Sequence, residues 1–163
     1  MREDIDAADR MITHLGDLLR AAYDTGDELL VPLSSEIKWL RDYAAMMVAR
    51  YRGQLIFDLD VEPNIATLKV PRLLLQPVVE NAFRHGLGSG RGSLYVAVRR
   101  DGTHLHYTIS DDGVGISGTP SPGTGLSNVS RRLQLLFAGD HQLSFAERTP
   151  RGTVVTIRFP VSG

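Results

Sequence analysis

Apolar residues recur along this chain in two rhythms, and the change of rhythm marks the elements. Ile5, Ala8, Ile12, Leu15, Leu19 and Ala22 lie three and four residues apart, the spacing of an apolar seam on one amphipathic helix. The seam starts almost at the first residue, as in a helical bundle cut part-way. It fits a bundle remnant and a single helix packed on its own domain about equally well. Residues 24–32 read as a linker. Leu33, Ile37, Leu40, Ala44, Met47 and Tyr51 repeat the helical spacing, and Gly53 ends that second helix. The period then drops to two. Leu55, Phe57 and Leu59 face one way and Ile56 and Asp58 the other, so residues 54–60 predict a strand.

Pro71 suits the first position of a third helix, expected to run to about His85 and stop at Gly86. Gly86, Gly88, Gly90 and Gly92 predict a flexible loop. Strands follow at 94–99 and 105–110, joined by a turn at Asp101-Gly102. A fourth helix is expected over 126–137. Two closing strands, 142–147 and 153–159, flank a turn at Pro150-Arg151-Gly152. This order predicts an α+β fold, a two-layer α/β sandwich: one mixed sheet with helices on one face, plus an N-terminal helical segment.

Bulk properties narrow the function only a little. The 163 residues suit one domain or a domain with an appendage. A net charge of −1 supplies no sequence-wide basic field, so a nucleic-acid partner is not expected. The chain has no cysteine, which removes disulfides and thiolate metal sites. No apolar run approaches the roughly 18 residues of a membrane span, and the polar start MREDIDAADR is no signal peptide.

Candidate chemistry concentrates at residues 111–129, DDGVGISGTPSPGTGLSNV, which are too poor in large side chains to form a core of their own. Glycine loops beside helix starts favour phosphates. The pattern GxxxxGK[ST] is absent, since the only lysines are Lys38 and Lys69. GxGxxG occurs from Gly113 to Gly118, but Thr119, Pro120, Ser121 and Pro122 follow where a dinucleotide loop must open straight into a helix. A third arrangement fits. Asp111 lies at the mouth of a strand, where its carboxylate can accept a hydrogen bond from an exocyclic amine, as on adenine. Gly113 and Gly115 let backbone approach a flat base. The segment to Gly123 would form a lid. Gly123, Thr124 and Gly125 then turn the chain into the helix at Leu126, whose free N–H groups can face phosphates.

The third helix supplies the opposite wall. Glu80, Asn81, Arg84 and His85 crowd one helical face at three- and four-residue spacings. An Asn carbonyl with phosphate oxygens makes a plausible magnesium set, and Arg84 can neutralise phosphate charge. Taken alone, the same residues also read as a polar helix end with a Glu80–Arg84 ion pair. His104 and His106 share a strand face and read as exposed polar residues rather than a metal pair.

Four stretches together carry a resemblance: Leu74 to Gly86 (LLQPVVENAFRHG), Asp111 to Ile116 (DDGVGI), Gly123 to Leu133 (GTGLSNVSRRL) and Gly152 to Pro160 (GTVVTIRFP). They resemble, in order and context, the ATP-binding domain of LytS-type sensor histidine kinases, within the gyrase/Hsp90/histidine-kinase/MutL superfamily. The resemblance implies a Bergerat-type ATP-binding fold, with ATP and Mg2+ as cofactors. It implies Asn81 as the magnesium ligand, and Arg84 and His85 as phosphate contacts. Asp111 would read the adenine amino group, and Gly113 and Gly115 would shape the base pocket. Gly123, Thr124, Gly125 and Leu126 would form the second phosphate loop, with Thr153 near the adenine. Residues 31–163 would be the catalytic domain and 1–30 the remnant of a dimerisation helix and its linker.

Three departures from the family pattern stand out. Asp112 replaces a frequent Asn, adding charge that is harmless if it faces solvent. Pro77 stands where hydrolysing relatives place a Glu four residues before the magnesium Asn, so poor ATP hydrolysis is expected. Glu80, next to Asn81, is the remaining candidate acid–base residue. The family's phospho-accepting histidine motif is missing, since His14 lacks the expected neighbours. The implied function is transfer of the γ-phosphoryl group to a histidine on a dimerisation helix absent from this chain, then to a response regulator. The setting would be a homodimeric kinase whose cytoplasmic part this is, with any membrane segment outside the chain. The alternatives are a non-catalytic nucleotide-responsive module and a serine kinase of the same superfamily.

Overall fold

The computed structural model describes residues 29–115 and 125–162. The first expected helix and the lid lie outside the described residues. Strand β1 (Leu30–Pro32) leads into helix α1 (Leu33–Arg50), then β2 (Leu55–Val61), β3 (Lys69–Pro71) and helix α2 (Leu75–Asn81). A π-helical turn (Ala82–Gly86) continues α2. Strands β4 (Gly92–Asp101) and β5 (His104–Asp111), helix α3 (Gly125–Phe137), and strands β6 (Gln142–Glu147) and β7 (Thr153–Pro160) complete the chain.

The main sheet has the order β2-β4-β5-β7-β6. Only the β2–β4 pair is parallel, with Leu55 opposite Gly92 and Val61 opposite Val98. The other ladders are antiparallel and include Leu94 opposite Asp111 and Asp111 opposite Thr153. The alternation expected from the sequence sets the two faces. Leu94, Val96 and Val98 of β4, Leu105, Tyr107 and Ile109 of β5, and Val155, Ile157 and Phe159 of β7 are buried in the core. This core also takes Leu33, Leu40, Ala44 and Met47 from α1, Leu75, Val78 and Val79 from α2, and Leu126, Val129 and Leu133 from α3. Phe159 joins the layers, stacking on Phe137 at 5.5 Å and meeting Tyr107 edge-on at 5.3 Å.

Two expectations fail at the entry to α2. Pro71 does not open a helix; it ends β3, opposite Leu30. That pairing also makes residues 30–32 a strand rather than linker. The chain then turns through Leu73, whose φ of 58° no helix accommodates, and α2 starts at Leu75. The cause lies far away in sequence. Glu36 of α1, only 4% exposed, accepts hydrogen bonds from the N–H groups of Leu73 (2.8 Å), Leu74 (3.2 Å) and Leu75 (3.5 Å). It does for α2 what an N-cap side chain normally does locally. Burial raises the Glu36 carboxyl above its ordinary range; the three N–H groups and the charge of Arg132 on α3 act against that rise.

The start of α1 is satisfied by backbone alone. Leu33 and Ser34 donate to the carbonyls of Leu68 (2.8 Å) and Ala66 (2.9 Å). Its end follows the glycine signal, since Gly53 at φ 74° donates back to the Val48 carbonyl at 3.0 Å.

Candidate nucleotide site

The site forms where the C-terminal end of α2 meets the tip of β5. The π-helical turn closes with a bond from the Leu87 N–H to the Ala82 carbonyl at 2.9 Å, one residue wider than an α-helical bond. Tyr43 of α1 braces this turn, edge-on to Phe83 at 5.7 Å. Arg84 and His85 are exposed on it, and Asn81 is half-buried at its start. Glu80 accepts a hydrogen bond from Gln76 Nε2 at 2.9 Å. The carboxylate considered for acid–base work is thus engaged by a neighbour one turn back.

Asp111, the last residue of β5, is 4% exposed. Its Oδ1 accepts the Gly113 N–H at 2.9 Å, and the Thr153 N–H also bonds the carboxylate. Burial raises its carboxyl above the ordinary range; Asp112 adds to the rise, while both N–H groups and Arg148 oppose it. A carboxylate has about four lone-pair directions, so two N–H donors leave capacity for a ligand donor.

Glycine is required where this strand tip meets the turn. A Cβ on Gly113 would sit 1.8 Å from the Gly86 carbonyl oxygen, and one on Gly86 would sit 2.8 Å from Asp111 Oδ1. Val114 donates to the same Gly86 carbonyl at 3.1 Å. The two walls therefore touch through bare backbone, which fixes Asp111 beside the helix end carrying Asn81, Arg84 and His85. Gly115 follows at φ 81°. Gly125 and Leu126 open α3, and a Cβ on Gly125 would meet Pro77 Cβ at 3.0 Å. Thr153, 7% exposed, opens β7. Gly123 and Thr124 lie outside the described residues.

Asp112 does not face open solvent. Ser93 donates to it twice, N–H to Oδ1 at 2.7 Å and hydroxyl to Oδ2 at 2.6 Å. Partial burial works to raise its carboxyl, but the Ser93 bonds and Arg148 outweigh this and hold it below the ordinary range. The departure from the family's Asn is thus a clamp on the start of β4. His104 and His106 are half-buried rather than exposed. His104 Nε2 lies 2.8 Å from Asp140 Oδ1, whereas His106 Nε2 is buried without a hydrogen-bond partner. Among the described residues no group of three or more His, Cys, Asp or Glu is placed to hold a metal. Sequence reasoning missed Glu36, the π turn and the Asp112–Ser93 clamp, and it read Gly86 as a helix stop rather than a wall.

The model of the family described as histidine kinase-, DNA gyrase B- and HSP90-like ATPase matches residues 68–163. The chain belongs to this ATPase family. A second model, described as histidine kinase, matches residues 1–55. Among curated relatives, sensor histidine kinase BtsS of Escherichia coli is 29% identical over 98% of this chain and 29% of its own length. Sensor protein LytS of Bacillus subtilis is 26% identical over 98% of this chain and 30% of its own length. The chain thus spans under a third of these relatives. Solved structures agree on the fold. The Acinetobacter baumannii histidine kinase AdeS matches with a TM-score of 0.66, at 17% identity, over 94% of this chain and 80% of that one. The catalytic domain of histidine kinase ThkA matches with a TM-score of 0.65, at 14% identity, over 83% and 97%. The expected α+β fold with a mixed sheet and the LytS-type resemblance are both borne out. Among the described residues no helix is long and apolar enough to cross a membrane.

Proposed function

We propose that residues 31–163 are the ATP–Mg-binding catalytic domain of a two-component sensor histidine kinase, and that residues 1–30 are the tail of its dimerisation helices. The observation that carries this reading is the buried Asp111 carboxylate, held against Gly86 and Gly113 with acceptor capacity to spare. That capacity suits the adenine amino group, and Gly113 and Gly115 leave room for the base plane. Thr153 flanks it from β7. Arg84 and His85, exposed on the π turn, neutralise phosphate charge. Gly123, Thr124, Gly125 and Leu126 cradle the phosphates at the start of α3.

The Asn81 side chain would hold Mg2+ together with phosphate oxygens and water. When bound, the ion neutralises charge on the transferring phosphoryl group. The chain's own contribution is positioning. Pro77 packs toward Gly125 and supplies no base for water, which suits transfer to a protein acceptor over hydrolysis. Glu80 is retained only as a candidate for acid–base work. The acceptor is a histidine on a dimerisation helix outside this chain, and the next acceptor is a response regulator receiver domain. The full-length protein would be a homodimer, with this part in the cytoplasm.

Titration with ATP and ADP, with and without magnesium, tests the binding step. Asn81→Ala is expected to abolish the magnesium dependence of ATP affinity, and survival of that dependence would remove Asn81 as the ligand. Incubation with labelled ATP and a separate histidine-bearing dimerisation helix is expected to yield acid-labile label. Acid-stable label would point to a serine kinase, and no label with intact binding to a nucleotide-responsive module.

A further inference from the structure

Helix α2 buries one polar side chain among apolar ones. Gln76 is 3% exposed and sits on the same helix as buried Leu75, Val78 and Val79. Its Nε2 donates to Glu80 Oε1 at 2.9 Å, whereas its Oε1 is buried without a hydrogen-bond partner. An orphaned amide oxygen costs stability that Leu or Met at the same place would not. Folding alone therefore gives no reason for an amide here; its one bond is to Glu80. Glu80 is half-buried, adjoins Asn81 and lies one turn before Arg84 on the same helix face. It thus stands beside the residue proposed to hold Mg2+ and one proposed to meet phosphate. Pro77, one turn before Asn81, approaches Gly125 at the start of α3 and carries no acid. The acid is displaced by about 100° around the helix from the position that serves water in hydrolysing relatives.

We propose that Gln76 is a positioning residue for phosphoryl transfer: its buried amide fixes the Glu80 carboxylate, which takes the ring proton of the acceptor histidine. This rests on the kinase reading above. An amide suits the task. It is a neutral donor, so it fixes the carboxylate without cancelling its charge, and it favours the ionised form. Lys or Arg at the same place would form an ion pair and leave less charge for a second partner. In the transfer step, one imidazole nitrogen forms the N–P bond as the bond from the γ-phosphorus to the β,γ-bridging oxygen breaks. That electron pair leaves on ADP. The proton on the other ring nitrogen passes to Glu80, so the phosphorylated ring is left neutral. A base is thus held in place by a third group, the general logic of an activated nucleophile.

The test uses the full 163-residue chain, labelled ATP and the separate histidine-bearing dimerisation helix. Gln76→Met keeps an unbranched, flexible side chain and removes the donor. It is expected to slow transfer at saturating ATP by about tenfold and to leave ATP affinity within about twofold. Urea stability should stay level or rise, because the orphaned oxygen goes with the amide. Glu80→Gln alone should slow transfer at least as much. Adding Gln76→Met to it should change the rate by less than about twofold, since the two side chains act as one unit. Transfer at the unmodified rate in Gln76→Met would overturn the proposal. So would a matching loss of stability or of ATP affinity, which would make Gln76 structural, or a full rate loss in the Glu80→Gln background. An unmodified chain that binds ATP but labels no histidine would remove the kinase reading itself, and this proposal with it.

Discussion

Two buried carboxylates lie toward opposite ends of the α2 segment, and they are engaged differently. Glu36 and Asp111 are each 4% exposed, and burial raises the carboxyl of each. Glu36 meets three consecutive N–H groups at the start of the helix, with the Arg132 guanidinium nearby and donating to the Leu73 carbonyl at 3.5 Å. It is enclosed on every side by the fold. Asp111 meets two N–H groups beyond the helix end, which leaves acceptor capacity on its carboxylate. A buried acid whose partners are all backbone caps is architecture. One left with spare acceptor capacity at a strand tip, walled by glycine backbone, is the one proposed above to read a ligand.

The comparison breaks most visibly at Glu36. Removing it strands buried N–H donors and the Arg132 charge, so Glu36→Ala should lower unfolding free energy by about 3 kcal/mol. Urea denaturation measures this. Nucleotide affinity of the folded fraction should change by no more than about threefold, because the cleft end of α2 is fixed separately through Gly86. An affinity loss as large as the stability loss would mean that the two ends are not independent. Asp112→Asn should cost about 1 kcal/mol, one charge-assisted bond to Ser93, and barely alter affinity.

The smallest effects come with pH. Asp112 has a lowered folded-state pKa, so its contribution is present above the ordinary 3.8 and is lost as pH falls through the folded value. Glu36 and Asp111 have raised folded-state values, so their burial cost is fully present at neutral pH and is relieved as pH falls through those values. Acid should therefore weaken nucleotide binding, by protonating Asp111, before it unfolds the protein. Affinity followed down the pH scale beside circular dichroism checks that order.

Much of this could be read from pattern. The strands of the main sheet, α1 and α3 follow from periodicity and glycine stops, because each buries one face against a single core. The site's residue types followed from motif and resemblance. The entry to α2 did not. Pro71 satisfies a local helix rule, but β1–β3 pairing and a cap from Glu36, some 37 residues away, override it. The π turn was equally hidden, since helical spacing alone does not distinguish its Leu87-to-Ala82 bond from an α-helical one. Asp112 looked like excess charge until Ser93 was placed beside it. The first and last of these misses are long-range polar contacts that spacing along one chain does not encode.

The most direct test of the central claim is the ATP affinity of Asp111→Asn, measured calorimetrically beside its urea stability. Loss of a charge-assisted bond to the purine predicts binding about 100-fold weaker, or ~2.7 kcal/mol, with stability within about 1 kcal/mol of the unmodified protein. Unchanged affinity, or a stability loss matching that of Glu36→Ala with binding intact, would make Asp111 a second structural carboxylate and contradict the account.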